Sequence, residues 1–392
     1  MTKTNILYVF GGEKAQGAEI VIERLMNSNS AQVNTHLILS PGKFADELLL
    51  GEKPYCISVF NKLKKLNRSS SGKSRYYFTA LTNYIGVSYR VNRYIIKNKI
   101  QIVHANTIVP ASYLLPLIIY SRLFSNSVKW YWSDHDLKYF SKIDSFLSRL
   151  CVRLYDRTLV VSEAVKRKYS SHENKIYVLY NGLDTDQFNS DPELRRAFRE
   201  KWSLSANSLV FGIAASINPD KGHLGLVKAF DRLSLVYPNV KLLLAGDFAS
   251  HFPEYKLQIE DAMENNDNIV YVGFLNNIAS FYNGCDVIIN NSNDYRSESL
   301  GTTIYEAMAC EKLVVGSNTG GTPEIITDKE NGFLFMVDNA DDLYEKLLYI
   351  TTNYSTLDNV KHAARKTAER KFNIAVMLRN YRSLLIDSIA NN

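Results

Sequence analysis

Short apolar runs alternate with helical patterns along nearly the whole chain, and this alternation confines the fold to α/β with parallel sheets. In the first half the strand-like runs fall at residues 5–10, 35–39, 102–104, 128–132, 158–161 and 175–179, with helical patterns between them, as at 17–27 and 74–97. A second series opens after Ser208, with strand-like runs at 209–214, 241–245, 269–272, 287–290, 313–316 and 333–335. Helical patterns at 224–237, 279–283, 300–310 and 340–351 separate these. Two such series read as two doubly wound units. Length agrees, because 392 residues exceed the usual size of a single core. The stretch 181–192, rich in Asn, Asp and Gly, is the expected junction. The expected domains are 1–183 and 184–392, the second ending in a closing amphipathic helix at 375–389. Open α/β sheets bind ligands at the carboxyl ends of their strands, so two facing sheets are expected to share one interdomain cleft.

Composition removes several function classes. Cys56, Cys151, Cys285 and Cys310 are scattered with no ligand-like spacing, which argues against a zinc site or a disulfide framework. The N-terminus runs at once into Ile6-Leu7-Tyr8-Val9-Phe10-Gly11-Gly12, a buried strand and turn with too short an apolar run for a signal peptide. The apolar stretch 108–120 carries Pro110 and Pro116 and is too short to span a bilayer. A cytoplasmic protein is expected. The net charge of +6 hides an asymmetry: residues 1–190 balance at +12 and the remainder at −6. The densest basic part is Lys62, Lys64, Lys65, Arg68, Lys73 and Arg75, followed by Tyr76, Tyr77 and Phe78. Basic residues among aromatics fit an anionic membrane surface, with the protein peripheral at the inner face, or a lipid-diphosphate acceptor; they fit a solvated loop equally well. No nucleic-acid motif accompanies them, so nucleic acid is not an expected partner.

The chemistry concentrates near residue 300. Glu298-Ser-Leu-Gly-Thr-Thr-Ile-Tyr-Glu306 places two carboxylates eight positions apart around small residues that read as a helix start. If the helix begins near Ser299, Glu306 lies two turns in and the carboxylates stand about 12 Å apart. That is roughly the span from the sugar to the ribose of a nucleotide sugar. The free N–H groups of the helix start suit a diphosphate between them, and each carboxylate can accept two hydrogen bonds from a diol. The same run also fits an amphipathic helix with a charged end.

This spacing, with Ala307-Met308-Ala309-Cys310 and then Gly320-Gly321-Thr322-Pro323-Glu324, resembles the donor-site signature of family-4 retaining glycosyltransferases, the glycosyl transferases of group 1, of the bacterial surface-polysaccharide type. The resemblance covers nearly the whole chain and is strongest over 156–327. It implies a GT-B fold, with an N-terminal acceptor-binding Rossmann-like domain and a C-terminal donor-binding one. By resemblance Glu298 lies beside the donor sugar, Thr302 and Thr303 line the diphosphate, Gly301 lets the helix start close to it, and Glu306 holds the ribose. Lys221, within Ser216-Ile-Asn-Pro-Asp-Lys-Gly222, sits where the family places a phosphate-binding lysine. Gly246 and Leu275 fall at the nucleotide pocket. Gly12 and Gly17 belong to a glycine-rich loop after the first strand, split here by residues 13–16. His135, in Asp134-His135-Asp136, corresponds to a histidine that faces the donor sugar; for His104 a structural role is as good a reading. Residues 160–163 and 180–184 resemble the family's two interdomain motifs.

Two departures stand out. The family commonly has Gly-Arg where this chain has Ala215-Ser216, so a second positive charge is missing unless Arg296 replaces it. The glycine usual after Ala-Cys is Glu311. The implied reaction moves a hexosyl group from a nucleotide-diphosphate sugar, UDP-sugar first and GDP-mannose next, to a saccharide or polyprenyl-diphosphate-linked acceptor. The nucleotide sugar is the co-substrate and no further cofactor is implied; the lack of Asp-x-Asp clusters suggests metal independence. A GT-B phosphorylase, a nucleotide-sugar epimerase and a catalytically weak nucleotide-sugar-binding subunit are the alternatives.

Overall fold

The computed structural model describes residues 3–12, 17–28, 33–63, 73–124, 127–169, 173–264, 266–295 and 298–390, and the side chains of these except at 73–78, 80 and 386–390. Lys64, Lys65 and Arg68 of the basic run, residues 13–16 and Arg296 lie outside the described residues, as do the side chains of Lys73, Arg75, Tyr76, Tyr77 and Phe78. The chain divides into two units, Met1–Tyr180 with Met377–Asn392, and Asn181–Val376.

The first unit is built on seven parallel strands: β1 (Thr4–Phe10), β2 (Val33–Leu39), β3 (Cys56–Val59), β4 (Ile102–Asn106), β5 (Lys129–Asp134), β6 (Arg157–Val160) and β7 (Ile176–Val178). Their order is β3-β2-β1-β4-β5-β6-β7. The chain winds outward from β1, crosses to β4 and winds outward again, so the strand order reverses between β1 and β4. In open α/β sheets ligands bind at the carboxyl ends beside such a reversal. Every residue of β4 is buried, as expected of a central parallel strand covered on both faces. β3 was not anticipated by the sequence reading. It is a four-residue edge strand with one exposed and three half-buried residues, so it carries little apolar signal.

The closing helix Ile374–Ala390 is longer than expected by a residue at each end. From Met377 onward it belongs to the first unit, not to the second as the sequence division had it. The physical reason is Tyr381, which is fully buried. Its hydroxyl lies 2.9 Å from His104 Nδ1 and accepts from Tyr8 OH at 3.2 Å. Tyr131 OH also donates to Leu384 O at 3.0 Å.

The second unit repeats the plan with six parallel strands: β8 (Leu209–Ala214), β9 (Val240–Ala245), β10 (Ile269–Gly273), β11 (Val287–Asn290), β12 (Leu313–Ser317) and β13 (Phe333–Phe335). Their order is β10-β9-β8-β11-β12-β13, with the reversal between β8 and β11. Phe211, Leu242, Leu244 and Val287 pack with Leu226 and Phe230 of the helix His223–Val236 into one apolar core. Both units are thus α/β and Rossmann-like, each a doubly wound parallel sheet. No described helix is long and apolar enough to cross a membrane.

Candidate functional site

In the second unit the expected site residues gather at the carboxyl edge of the sheet, around the β8/β11 reversal. β8 ends at Ala214 and leads into exposed Ser216 and the short turn Pro219–Lys221. Gly222 follows with φ of 61°, and a Cβ there would lie 2.4 Å from Asn291 O. Only glycine lets the chain turn so close to the β11 loop. Asn291 Nδ2 donates to Gly222 O at 2.7 Å and ties the two loops together.

This places Lys221 Nζ directly on Glu298 Oε2. Lys221 also lies 3.4 Å from Ser292 Oγ, which donates to the same Glu298 oxygen at 3.0 Å. Burial pushes the Glu298 carboxyl up; the Lys221 charge and hydrogen bonds from Lys221, Ser292 and Asn290 outweigh it and hold the carboxyl below its usual range. Glu298 is therefore ionised at neutral pH. Its side chain is 22% exposed and that of Lys221 28%, so solvent can reach both.

The helix after Glu298 starts later than the sequence reading had it. It spans Thr302–Ala309, with Gly301 at φ 76° before it. Residues 298–301 form a loop pressed against the glycine pair: Gly321 N donates to Glu298 O at 2.8 Å. A Cβ on Gly320 would fall 2.1 Å from Glu298 O, and one on Gly321 2.3 Å from Ser299 O. The separation of about 12 Å derived from two helical turns between the carboxylates therefore does not apply, since only the stretch from Thr302 is helical. Thr302 and Thr303 open the first turn, where backbone N–H groups have no intrahelical acceptor. Thr303 Oγ1 accepts from Asn290 Nδ2 at 3.4 Å. Glu306 lies one turn further and accepts from Tyr282 OH at 2.8 Å. Burial and then the Glu306 charge push the Tyr282 hydroxyl well above its usual range, so it remains a donor.

Gly246 and Leu275 stand at the ends of β9 and β10. Gly246 has φ of 135°, and a Cβ would lie 2.0 Å from Ala215 O. Gly246 N donates to Gly273 O at 2.9 Å, two residues before half-buried Leu275. The loops after β8, β9 and β10 are thus stitched side by side. Sequence reasoning missed Ser292, Asn290 and Tyr282. The signal for the first two was the polar run Asn290-Asn-Ser-Asn-Asp294 directly after an apolar strand, the place where an α/β sheet presents ligands.

In the first unit, Gly12 follows β1 and its carbonyl accepts from Ser40 Oγ at 3.0 Å. Gly17 opens the helix Gly17–Ser28 with open space where a Cβ would be. His135 follows β5, and its Nε2 donates to Asn106 Oδ1, at the end of β4, at 2.8 Å. Burial lowers the His135 pKa to about 4, against the opposing charge of Asp134. The imidazole is neutral at pH 7. Asp134 is itself clamped by Lys168 at 2.5 Å and by the Tyr169 hydroxyl. His104 is fully buried, with Nε2 2.7 Å from Ser133 Oγ and Nδ1 on Tyr381, so its role is structural. Among the described residues no group of three or more His, Cys, Asp or Glu could hold a metal ion.

Comparison with known proteins bears on this arrangement. The family model for Glycosyltransferase Family 4 matches residues 17–187, and that for Glycosyl transferases group 1 matches 195–367. Trehalose synthase of Thermococcus litoralis is 25% identical over 274 residues, 65% of this chain and 64% of that protein, so less than two thirds of this relative's length is matched. The crystal structure of Anabaena HepE in complex with UDP superposes with a TM-score of 0.83 at 20% identity, covering 98% of this chain and 100% of that one. A glycosyltransferase from Rickettsia africae has a TM-score of 0.83 at 24% identity, with both chains covered completely. The chain belongs to the GT-B glycosyltransferases, with a Glycosyltransferase Family 4 domain in its first half and a Glycosyl transferases group 1 domain in its second.

Proposed function

We propose that this glycosyltransferase moves a hexosyl group, with retention of configuration and without a metal ion, from a nucleotide-diphosphate sugar to a saccharide or polyprenyl-diphosphate-linked acceptor. A UDP-sugar is the favoured donor and GDP-mannose the next. The reading rests on one observation: the Lys221–Glu298–Ser292 cluster stands beside the loop that opens the Thr302–Ala309 helix, with Glu306 further along that helix. The cation and the first-turn amides can hold a diphosphate, and the two carboxylates can accept from sugar and ribose hydroxyls. The structures of Anabaena HepE with UDP and UDP-glucose support a uridine donor.

In the proposed step the bond from sugar C1 to the diphosphate oxygen breaks and a bond from C1 to the acceptor oxygen forms on the same face. The acceptor proton passes to the leaving phosphate. Lys221 exchanges Glu298 for a phosphate oxygen and stabilises the charge that develops there. Glu298, freed from that contact, orients the sugar, and the neutral His135 is suited to hydrogen-bond a sugar hydroxyl. The proposed setting is cytoplasmic, at the inner membrane face, in surface-polysaccharide assembly.

A thermal-shift panel of nucleotide-diphosphate sugars, with and without EDTA, tests the donor assignment. Selective stabilisation by a UDP-sugar that EDTA does not change is expected. Stabilisation that EDTA abolishes rejects metal independence, and no shift with any donor rejects the site. The anomeric configuration of the product, read by NMR, decides retention.

A further inference from the structure

The helix Lys73–Asn98 divides its surface three ways. Val87, Ser88, Val91 and Ile95 are buried against the unit, where Tyr84 stacks on Tyr113 at 4.4 Å and Ser88 Oγ donates to Tyr113 O at 2.9 Å. Leu81, Ile85, Tyr89 and Ile96 are between 57% and 68% exposed. At about 100° per residue these four fall within an arc of about 80°. Arg90, Arg93 and Lys97, all exposed, occupy the adjoining arc of about 60°. Scattered exposed apolar residues are ordinary, but an apolar stripe spanning four turns and broken only at half-buried Asn92 is not. The next helix, Ile108–Leu123, ends in a second exposed apolar group, with Leu123 73% and Phe124 67% exposed.

The charge pattern says what covers this face. From residue 53 to residue 133 the chain carries 13 Lys and Arg and no Asp or Glu. A partner protein surface of mixed charge would find no carboxylate on this helix to pair with its own lysines and arginines. Nucleic acid would leave the apolar stripe in water. A second copy would bring the same basic arc against itself. An anionic lipid surface meets both halves: acyl chains take the apolar stripe and phosphate headgroups take the three cations.

We propose that the outer face of the Lys73–Asn98 helix is a docking surface for an anionic bilayer, through Leu81, Ile85, Tyr89 and Ile96 together with Arg90, Arg93 and Lys97. The helix lies in the interfacial plane and does not enter the hydrocarbon as a span. This assignment concerns binding alone and stands whether or not the donor and acceptor proposed above are right.

The experiment is flotation of the full chain with vesicles of phosphatidylcholine alone and of phosphatidylcholine mixed with phosphatidylglycerol, at low and high salt. The expected result is binding to the mixed vesicles only, weakened by salt. The triple variant Arg90→Gln, Arg93→Gln, Lys97→Gln should reduce partitioning by about tenfold or more. The variant Ile85→Asn, Tyr89→Ser should reduce it while leaving the salt dependence in place. The replaced side chains are exposed, and a circular-dichroism melt confirms that each variant folds. For the unaltered protein, amide hydrogen exchange should slow over 79–98 when mixed vesicles are added. Vesicle binding that both variants retain, or protection elsewhere in the chain, overturns the proposal. So does no vesicle binding with a dimer in light scattering that Ile85→Asn, Tyr89→Ser dissolves, which would make the occupant a second copy.

Discussion

Lys221 and Glu298, 77 positions apart, are held in contact by two loops on opposite sides of the β8/β11 reversal. The pair joins a cation suited to phosphate with a carboxylate suited to sugar, and the Lys221 charge keeps Glu298 ionised until a ligand takes its place. It also ties the loop after β8 to the loop before the Thr302–Ala309 helix.

That contact makes stability depend on pH with a definite sign. The folded Glu298 carboxyl lies below its usual value, so its contribution is fully present above the unfolded value of about 4.3 and is lost as pH falls through the folded value. Lys221→Met removes the compensating charge and leaves the burial. The variant should therefore be less stable than the parent near neutral pH, with the gap starting to shrink above about 4.3, where the uncompensated carboxyl of the variant takes up its proton, and closing further below it. Urea unfolding of both proteins across that range measures the gap; a gap independent of pH would sink the coupling.

Kinetics should separate the two ends of the site. Lys221→Ala is expected to lower turnover by about 100-fold to 1,000-fold with little change in donor KM, because developing charge on the leaving phosphate loses its cation. Glu306→Ala is expected to raise donor KM by about tenfold with a smaller effect on turnover, because the ribose contacts proposed for it would be alike in ground and transition states. Initial rates against donor concentration decide, and the reverse pattern rejects the assigned roles.

Two residues at nearly equal positive φ should respond in opposite directions. Gly320, at 58°, would bring a Cβ to 2.1 Å from Glu298 O, so Gly320→Ala should cost about 3 kcal/mol or more. Glu311, at 57°, sits just past the helix end at Cys310, where glycine is the usual residue. Glu311→Gly should stabilise by about 1 kcal/mol. Chemical denaturation of the two variants gives both signs, and a destabilised Glu311→Gly would mean that the glutamate makes a compensating contact.

Acid sensitivity should trace to buried imidazoles. Burial, with the neighbouring His135, lowers the His104 pKa to about 3. The unfolded value is about 6.5, so the stability of the neutral ring is present above that pH and declines as pH falls toward the folded value. His104→Gln should remove about one proton from this dependence, a slope change of about 1.4 kcal/mol per pH unit between pH values of about 6 and 4. Identical slopes for parent and variant would show that His104 does not carry the effect.

The fold was readable because the central strands are continuous apolar runs. β8 and β11, the central pair, fall where the sequence placed them, since both are buried along most of their length; the edge strand β13 does so too, because Phe333 and Phe335 are buried. Strand β3 escaped because Cys56–Val59 is short, lies at the edge and is half-exposed. The helix start was misplaced because Ser299 is a good capping residue on local grounds. Leu300 is instead buried, and the left-handed Gly301 delays the helix to Thr302. Lys221 and Glu298 could be singled out by motif, but their contact depends on Gly222, Gly320 and Gly321 letting loops approach to distances that only tertiary structure sets. The amphipathic pattern of the closing helix was plain, whereas its partner was not: apolar periodicity says that a face is buried and not which sheet receives it.

The placement of Met377–Asn392 with the first unit bears on how the protein is made. The strands of that unit leave the ribosome before the second unit, yet the hydroxyl that meets His104 Nδ1 comes from Tyr381, which follows the second unit. Until then a buried imidazole at the centre of the sheet lacks one of its two partners, while the second unit, a single uninterrupted segment, already has every residue it needs. The unit whose strands precede the second is thus completed after it, and a chain cut between Val376 and Tyr381 has a whole second unit and an unfinished first.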